Sequence, residues 1–363
     1  MKNIPIVIPS YEPDWNLETF IKSFDIDNEF FIVIDDGSGE KYQEIFNDVE
    51  KLIGSNGVVL HHEVNKGKGA ALKTAFNYIL AKMPDIPGVV TADSDGQHVR
   101  ASVEDVTKSL IENPKSLVLG VRSFDRATIP WKSWFGNTLT IKVMKYLSGV
   151  SVSDTQTGLR GIPTSFFKIL IDECKSDRFE FETQMLLATK GRFPIVEVPI
   201  ATIYDSKEDH ATHFDPFRDS IRIYKVIGKQ FIKFIGASFS SSILDLLLFT
   251  IFCALFTTLG LENSIGVYLV TLATVAARIL SAVYNYIINY KVVFKSNENH
   301  GKSVSKYILL AVVQMALSAI CTTLLVYLLP AFNKTVLKAV VDIILFFISY
   351  NIQNKFIFKK NAE

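Results

Sequence analysis

Cysteine is scarce in this 363-residue chain: Cys174, Cys253 and Cys321 are odd in number and far apart, so they offer neither a disulfide framework nor a zinc site. An excess of one charge is missing as well. With 38 basic and 37 acidic residues, the chain lacks the surplus of a protein that coats nucleic acid, and no nucleic-acid partner is expected. A signal-peptide pattern is absent, because Pro5 and Pro9 interrupt the short apolar run after Lys2. The N-terminal part is therefore expected to stay in the cytoplasm. The glycine-rich turn at Asn65–Ala71 lacks the Gly-Lys-[Ser/Thr] ending of a Walker loop, and it lacks the three glycines of a dinucleotide fingerprint.

The charge balance hides an asymmetry. From Lys229 onward there are 12 basic and 5 acidic residues, so the first 228 residues are net acidic. The positive mean hydropathy, +0.25, comes from the C-terminal third. Between Lys233 and Arg278 lie 44 residues with only Asp245 and Glu262 charged, enough for two spans of roughly 20 residues each. The 27 residues between Lys306 and Lys334 carry no charge and make a third span. A fourth runs from about Val336 to Tyr350, with Lys338 and Asp342 near its start. The spans are expected at about 231–256, 264–288, 306–329 and 335–351, an all-α bundle of four transmembrane helices. Lys291, Lys295, Lys302 and Lys306 fill the loop between spans two and three, and Lys355, Lys359 and Lys360 follow span four. That bias predicts a multi-pass protein of the cell membrane with both termini cytoplasmic. Within the spans Arg278, Ser281, Asn285 and Asn289 share one helical face. They would serve either as interhelical hydrogen bonds or as a polar path for a lipid headgroup.

The first half reads differently. Short apolar runs at 4–8, 30–34, 58–60, 89–90 and 117–119 alternate with helical patterns such as Ala70–Lys82 and Val103–Glu112. Alternation of this kind predicts an α/β fold with a doubly wound, mostly parallel sheet of the Rossmann type. Ligands on such sheets bind at the carboxyl ends of strands. There the unusual residues gather: Pro9-Ser10-Tyr11-Glu12, Asp35-Asp36-Gly37-Ser38, the turn Asn65-Lys66-Gly67-Lys68-Gly69, and Asp93-Ser94-Asp95-Gly96-Gln97-His98. On an extended backbone Asp93 and Asp95 would point the same way. A divalent cation takes one or two carboxylates and completes its shell with phosphate oxygens and water. An Asx-turn is the alternative for this pair. For the glycine-rich turn, simple entry into a helix competes with Lys68 and exposed helix-start amides facing a diphosphate.

This ordered set resembles family 2 glycosyltransferases over residues 1 to about 225, most closely the polyprenyl-phosphate (dolichol-phosphate mannose synthase-like) branch, with a GT-A-like fold. The segment at about 230–358 resembles the four-span GtrA-like family, through Arg278–Ser281, Asn285–Asn289 and Asn354–Phe358. The resemblance implies a membrane-bound inverting hexosyltransferase. It would move a sugar from a nucleotide sugar, UDP-glucose or a related UDP-sugar, to polyprenyl (undecaprenyl) phosphate on the cytoplasmic leaflet, for cell-envelope polysaccharide glycosylation. The GtrA-like part would flip the product. By resemblance Pro9, Tyr11, Glu12 and Asp36 hold the nucleoside, while Asp93, Asp95 and Gln97 hold Mg2+ or Mn2+ and the diphosphate. Gln156–Arg160, Gly120–Arg122 and His213–Asp219 match blocks of the acceptor half. Where that branch has an Arg before a Ser, this chain has Lys132-Ser133, and Lys cannot grip a phosphate bidentately.

A phosphate acceptor is already mostly deprotonated near neutral pH and needs positioning more than a base. Arg122, Lys132, Arg160 and Arg218 are the candidate cations, and Glu180 and Glu182 are candidates to orient the arginines. The expected division is a glycosyltransferase domain at 1–214, an interfacial amphipathic helix at 215–230 and a transmembrane domain at 231–358. Trp131–Ser148 repeats the interfacial pattern of aromatic residues beside lysines. Two alternatives stay open: a processive polysaccharide synthase, although no Gln-x-x-Arg-Trp motif is present, and a transporter or scaffold whose soluble part only binds nucleotide. Homo-oligomerisation is left open.

Overall fold

The computed structural model describes residues 4–122, 131–201 (side chains from 135), 218–259 and 268–358 (side chains from 269). The chain divides into two compact units, Met1–Ile227 and Gly228–Glu363.

The first unit is built on a seven-stranded sheet: β1 Ile6–Ser10, β2 Phe31–Asp35, β3 Gly57–His61, β4 Gly88–Thr91, β5 Leu117–Arg122, β6 Arg160–Pro163 and β7 Ile195–Ile200, in the spatial order β3-β2-β1-β4-β6-β5-β7. All five predicted apolar runs are strands, and β6 and β7 are additions to the expectation. Alternate residues of each central strand feed two cores. Val7, Ile32 and Ile34 pack with Leu72, Phe76, Phe166 and Phe181. Ile6, Ile8, Phe31 and Val33 pack with Leu17, Phe20, Phe46 and Val103 on the other face. A sheet buried on both faces needs helices on both, which is the doubly wound arrangement. The helices are α1 Asn16–Lys22, α2 Gln43–Ile53, α3 Lys68–Lys82, α4 Arg100–Glu112, α5 Trp131–Ser148, α6 Thr164–Glu173 and α7 Glu180–Ala188.

The sheet is mixed in one place that matters for the site. β6 runs antiparallel to both β4 and β5, with Thr91 opposite Arg160 and Leu119 also opposite Arg160. The start of β6 therefore lies at the edge where β4 leaves the sheet. The order of strands reverses direction of growth between β1 and β4, so the crevice for a ligand falls at their carboxyl ends.

In α5, Phe135, Leu139, Lys142 and Tyr146 lie on one exposed face, while Asn137, Thr140 and Met144 are buried. The helix α8 Arg218–Thr258 is continuous over 41 residues. Its first turns place Ile223 and Ile227 in the core of the first unit and leave Ile221 exposed. Ile223 and Ile227 thus pack inward within the segment expected as an interfacial helix at 215–230. Arg222 pairs with Asp219 at 3.2 Å.

Among the described residues four helices are long and apolar enough to cross a membrane: Arg218–Thr258, Leu269–Val293, His300–Leu328 and Lys334–Ile357. The last three are α9 Tyr268–Ile288, α10 His300–Leu328 and α11 Lys334–Ile352, with α9 and α11 prolonged by single π-turns at Asn289–Val293 and Gln353–Ile357. These extensions lengthen the second and fourth spans beyond the expected bounds. The two charges of the fourth span neutralise each other, Lys338 Nζ lying 2.9 Å from Asp342 Oδ2, and Ser318 Oγ donates to Asp342 at 2.6 Å. The polar face of α9 bonds between helices. Ser281 donates to Asp245 at 2.8 Å, Asn285 accepts from Tyr307 at 2.9 Å, and the fully buried Asn289 donates to Gln353 at 3.3 Å. Of the two readings of that face, these contacts match interhelical bonding.

Cys174, at the end of α6, is buried in the first core, and that burial pushes its thiol up to about 12. The thiolate is the reactive form. Folded protein at pH 8 is expected to leave Cys174 unlabelled by iodoacetamide under conditions that label it fully in denaturant, as read by peptide mass spectrometry. Prompt labelling in the folded state would contradict this packing.

Candidate active site

The site assembles from three strand exits and one glycine-rich turn. At the exit of β2, Asp35 accepts from the Ser38 amide at 2.8 Å and lies 3.0 Å from His61 Nδ1. Burial pushes the Asp35 carboxyl up, but His61 and Ser38 outweigh it and hold the group below its ordinary range. Glu12, at φ 49°, donates its amide to Ser38 Oγ at 2.9 Å, which ties the exit of β1 to that of β2. Pro9 and Ser10 end β1 opposite Ile34 and Asp35. A hydrogen bond to Glu12, then burial and the charges of Glu12 and Asp36, raise the Tyr11 hydroxyl above its usual pKa. Tyr11, Glu12 and Asp36 are therefore neighbours.

Asp36 is 2% exposed, and its carboxylate faces inward. Oδ1 accepts from the Lys66 amide at 3.0 Å and lies 2.7 Å from His62 Nδ1, while Oδ2 accepts from the Gly67 amide at 2.7 Å. His62 is fixed in turn by Thr74 at 2.9 Å. By resemblance Asp36 was expected at the nucleoside; the structure uses both of its oxygens to clamp the glycine-rich turn.

Three amides of the turn and of the first turn of α3 are taken within the protein. Besides Lys66 and Gly67, Ala70 has a partner, donating to the Asp177 carbonyl at 3.0 Å. The glycines are there for clearance. A Cβ on Gly67, which sits at φ 102°, would lie 2.5 Å from the Asp177 oxygen, and one on Gly69 would lie 2.5 Å from Phe181 Cβ. The close approach sets Lys68, first residue of α3, beside α7.

Lys68 is the link to the exit of β4. Its Nζ is 2.6 Å from Asp93 Oδ1 and 2.9 Å from Glu182 Oε1. The Lys68 and Glu182 side chains are 16% and 9% exposed, so this is no surface pair of about 0–1 kcal/mol. Losing one member leaves mostly buried charge uncompensated. Burial pushes the Lys68 ammonium down, but Asp93 and Glu182 reverse this and hold it well above its ordinary value. Burial likewise pushes Asp93 up, and Lys68 and His98 hold it well below the usual carboxylate range. His98, 6% exposed, sets Nε2 3.6 Å from Asp93 Oδ2.

Asp93 and Asp95 do not lie on one extended strand. β4 ends at Thr91, and a turn at Ser94–Asp95 precedes Gly96 at φ 74°. Asp95 accepts from the Gln97 amide at 3.0 Å. Burial and the Asp93 charge push the Asp95 carboxyl up. The backbone here is thus a turn with the Asx contact, not the extended strand on which the paired reading rests. Among the described residues no three His, Cys, Asp or Glu side chains converge as a metal cage. Two carboxylates on one turn fit a Mg2+ or Mn2+ that arrives with phosphate oxygens and water, not one held by protein alone.

The start of β6 closes the site from below. Thr91 Oγ1 donates to the Gly158 carbonyl at 2.7 Å, and a Cβ on Gly158 would fall inside the Asp93 carboxylate. Arg160 is 1% exposed, with Nε donating to the Thr157 carbonyl and Nη1 to the Glu182 carbonyl, each at 2.8 Å. It braces α7 from inside and offers no open face to an acceptor, unlike the expectation. Arg122 grips the fully buried Asp154 with two bonds, 2.7 and 3.1 Å, and keeps a 21% exposed side chain. Arg218 is exposed at the start of α8. The side chains of Lys132 and Ser133, and residues 213–217, lie outside the described residues. Sequence spacing did not reveal Glu182 as the partner of Lys68 or Asp154 as that of Arg122; both pairs form across long separations, with no local signal. The Glu182 carboxylate pairs with Lys68, and only its backbone carbonyl meets an arginine, Arg160.

The family profile for glycosyl transferase family 2 matches residues 6–164, and that for the GtrA/DPMS transmembrane domain matches residues 269–358. An uncharacterized protein of Methanocaldococcus jannaschii is 30% identical over 204 residues, covering 55% of this chain and 81% of its own. The chain belongs to glycosyl transferase family 2. This glycosyltransferase has named relatives too. A UDP-N-acetylglucosamine–dolichyl-phosphate N-acetylglucosaminyltransferase of Methanococcus voltae is 29% identical over 56% of this chain and 86% of its own. A dolichyl-phosphate beta-glucosyltransferase of Dictyostelium discoideum is 28% identical over 54% of this chain and 60% of its own. The protein is thus a hexosyltransferase with a GT-A-like domain and a multi-pass membrane domain, as the ordered motifs imply.

The clearance at Gly158 gives a direct test of the glycosyltransferase site. Gly158→Ala is expected to displace Asp93 and lower sugar transfer on the order of 100-fold. The sheet should survive, because Gly158 precedes β6. Transfer rates and thermal unfolding of the full chain check both halves, and an unimpaired rate would remove Asp93 from the chemistry.

Proposed function

We propose that this glycosyltransferase moves a hexose, with inversion, from a UDP-sugar such as UDP-glucose to a polyprenyl phosphate such as undecaprenyl phosphate at the cytoplasmic leaflet. The observation that carries the reading is the Asp93–Asp95 turn, cradled by Lys68, Glu182 and Gly158 at the β1/β4 crevice, in a chain that also has four candidate membrane spans. Support comes from relatives named for dolichyl phosphate acceptors, one with UDP-N-acetylglucosamine as donor and one transferring a glucosyl group.

The roles follow from charge. Tyr11 and Glu12, at the exit of β1, receive the nucleoside, and Asp36 shapes that floor by fixing Lys66 and Gly67. Asp93 and Asp95, with the Gln97 amide bracing Asp95, would hold Mg2+ or Mn2+, which when bound would supply Lewis-acid neutralisation of the diphosphate leaving group. Lys68 adds a second positive charge at the same edge. The acceptor is a phosphate monoester, already anionic near neutral pH, so it attacks the anomeric carbon without a protein base. In-line attack turns an α-linked donor into a β-linked lipid. The exposed part of Arg122, together with Lys132, Ser133 and Arg218, positions the acceptor phosphate, while Arg160 holds α7 in place. The exposed Phe135, Leu139, Lys142 and Tyr146 of α5 have the composition of an interfacial face. Lysines between spans two and three and after span four support cytoplasmic termini. The GtrA-like domain carries the product lipid towards the opposite leaflet.

Purified full-length protein with a panel of radiolabelled nucleotide sugars, undecaprenyl phosphate and Mg2+ or Mn2+ tests this. Label is expected in the organic phase with a UDP-hexose. Asp95→Ala and EDTA are each expected to lower it by about 100-fold or more. No lipid-soluble label with any donor, or full activity of Asp95→Ala, would overturn the reading.

A further inference from the structure

A second positive charge at the donor's edge does not by itself account for where Lys68 stands. A diphosphate partner should reach toward the nucleotide, yet the ammonium is bonded to Asp93 Oδ1 at 2.6 Å and to Glu182 Oε1 at 2.9 Å. A divalent cation on Asp93 must compete for the same carboxylate, and two cations at one oxygen repel. Asp93 has little room to turn away. Gly158 backbone lies beneath its carboxylate, and the buried His98 stands 3.6 Å from Oδ2. Lys68 is on a flexible four-carbon stem and can move. Glu182 has less freedom to follow it: its backbone is held by the bond from Arg160 Nη1 to its carbonyl at 2.8 Å, and its side chain is 9% exposed. The acid is an anchor within reach of the lysine.

We infer that Lys68 is a resident counter-ion that holds Asp93 until a divalent cation arrives, and that Glu182 is the positioning residue that keeps the displaced ammonium at the diphosphate end of the site. The inference rests on the reading of Asp93 and Asp95 as cation ligands. It assigns an order: the cation takes Asp93, Lys68 leaves it, and Glu182 retains Lys68 for the donor's phosphates. Affinity for bare Mn2+ is then limited by competition with Lys68.

Mn2+ binding to the full-length protein, without nucleotide, is read by electron paramagnetic resonance of the free ion. Lys68→Met is expected to bind Mn2+ several-fold more tightly than the parent chain while losing affinity for the nucleotide sugar. A merely structural lysine would weaken both. Glu182→Gln is expected to bind Mn2+ several-fold more weakly, because Lys68 then has Asp93 alone. In the unsubstituted protein Mn2+ should speed acetic anhydride labelling of Lys68, read by mass spectrometry, which covers the case in which Lys68→Met does not fold. Equal or weaker Mn2+ binding by folded Lys68→Met, or unchanged labelling of Lys68, overturns the competition. Asp93→Asn separates the two ideas: Mn2+ binding unaffected by that change removes the cation reading itself, whereas binding lost there but not improved in Lys68→Met removes only the role given to Lys68.

Discussion

An acidic pair at the mouth of an apolar sheet needs a cation beside it, and Lys68 is that cation. Without it Asp93 and Glu182 would each lose the cation they share, and burial would drive them toward the neutral acid. The glycines of the Asn65–Gly69 turn make sense only in this light. Gly67 and Gly69 let α3 approach Asp177 and Phe181 closely enough for Lys68 to reach α7 and the exit of β4 together. Asp36 then locks the turn by accepting from two of its amides. One ionic contact thus explains why the glycines, an inward-facing aspartate and the first turn of α7 occur as a set.

A second constraint is topological. Because β6 runs against its neighbours, its first residue stands opposite Thr91 and Leu119. The segment that leads into it can pass beneath Asp93 only if it carries no side chain there, and Gly158 meets that demand. Arg160 is drawn into the interior by the same geometry and bonds to the backbone of α7. The block Gln156–Arg160, which looks like a run of acceptor contacts in the sequence, is from this side a floor and a brace.

Much of the fold was legible because it depends on local patterns. Five apolar runs of strand length and the helices between them announce a doubly wound sheet, and long uncharged stretches announce four spans. β6 escaped notice because Arg160–Pro163 is four residues long, starts with an arginine and includes a proline, none of which suggests a central strand. The motifs at the strand exits were legible as a set. Their internal wiring was not. Lys68 meets Glu182, and Arg122 meets Asp154, only after the chain has folded, and no spacing encodes such pairs. The turn at Ser94–Asp95 was hidden for a different reason, since Asp-x-Asp is compatible with both an extended and a turned backbone until Gly96 is seen at positive φ.

The cations at this edge share a condition. Lys68 is tied to Asp93 and Glu182, Arg122 to Asp154, and Arg160 to the carbonyls of Thr157 and Glu182. An acidic half-chain that must bind an anionic donor, and in the proposed reaction an anionic acceptor, would repel both if its carboxylates were bare. Pairing offsets part of that charge and holds Lys68 in position, largely shielded from bulk phosphate. The donor then gains Lys68 only by freeing it from Asp93, which favours a donor that brings its own positive charge. A nucleotide diphosphate bound to a divalent ion does so, and free phosphate does not. On this argument the buried pairs act as a filter for the metal-loaded donor, and the selectivity arises before any contact with the sugar is made.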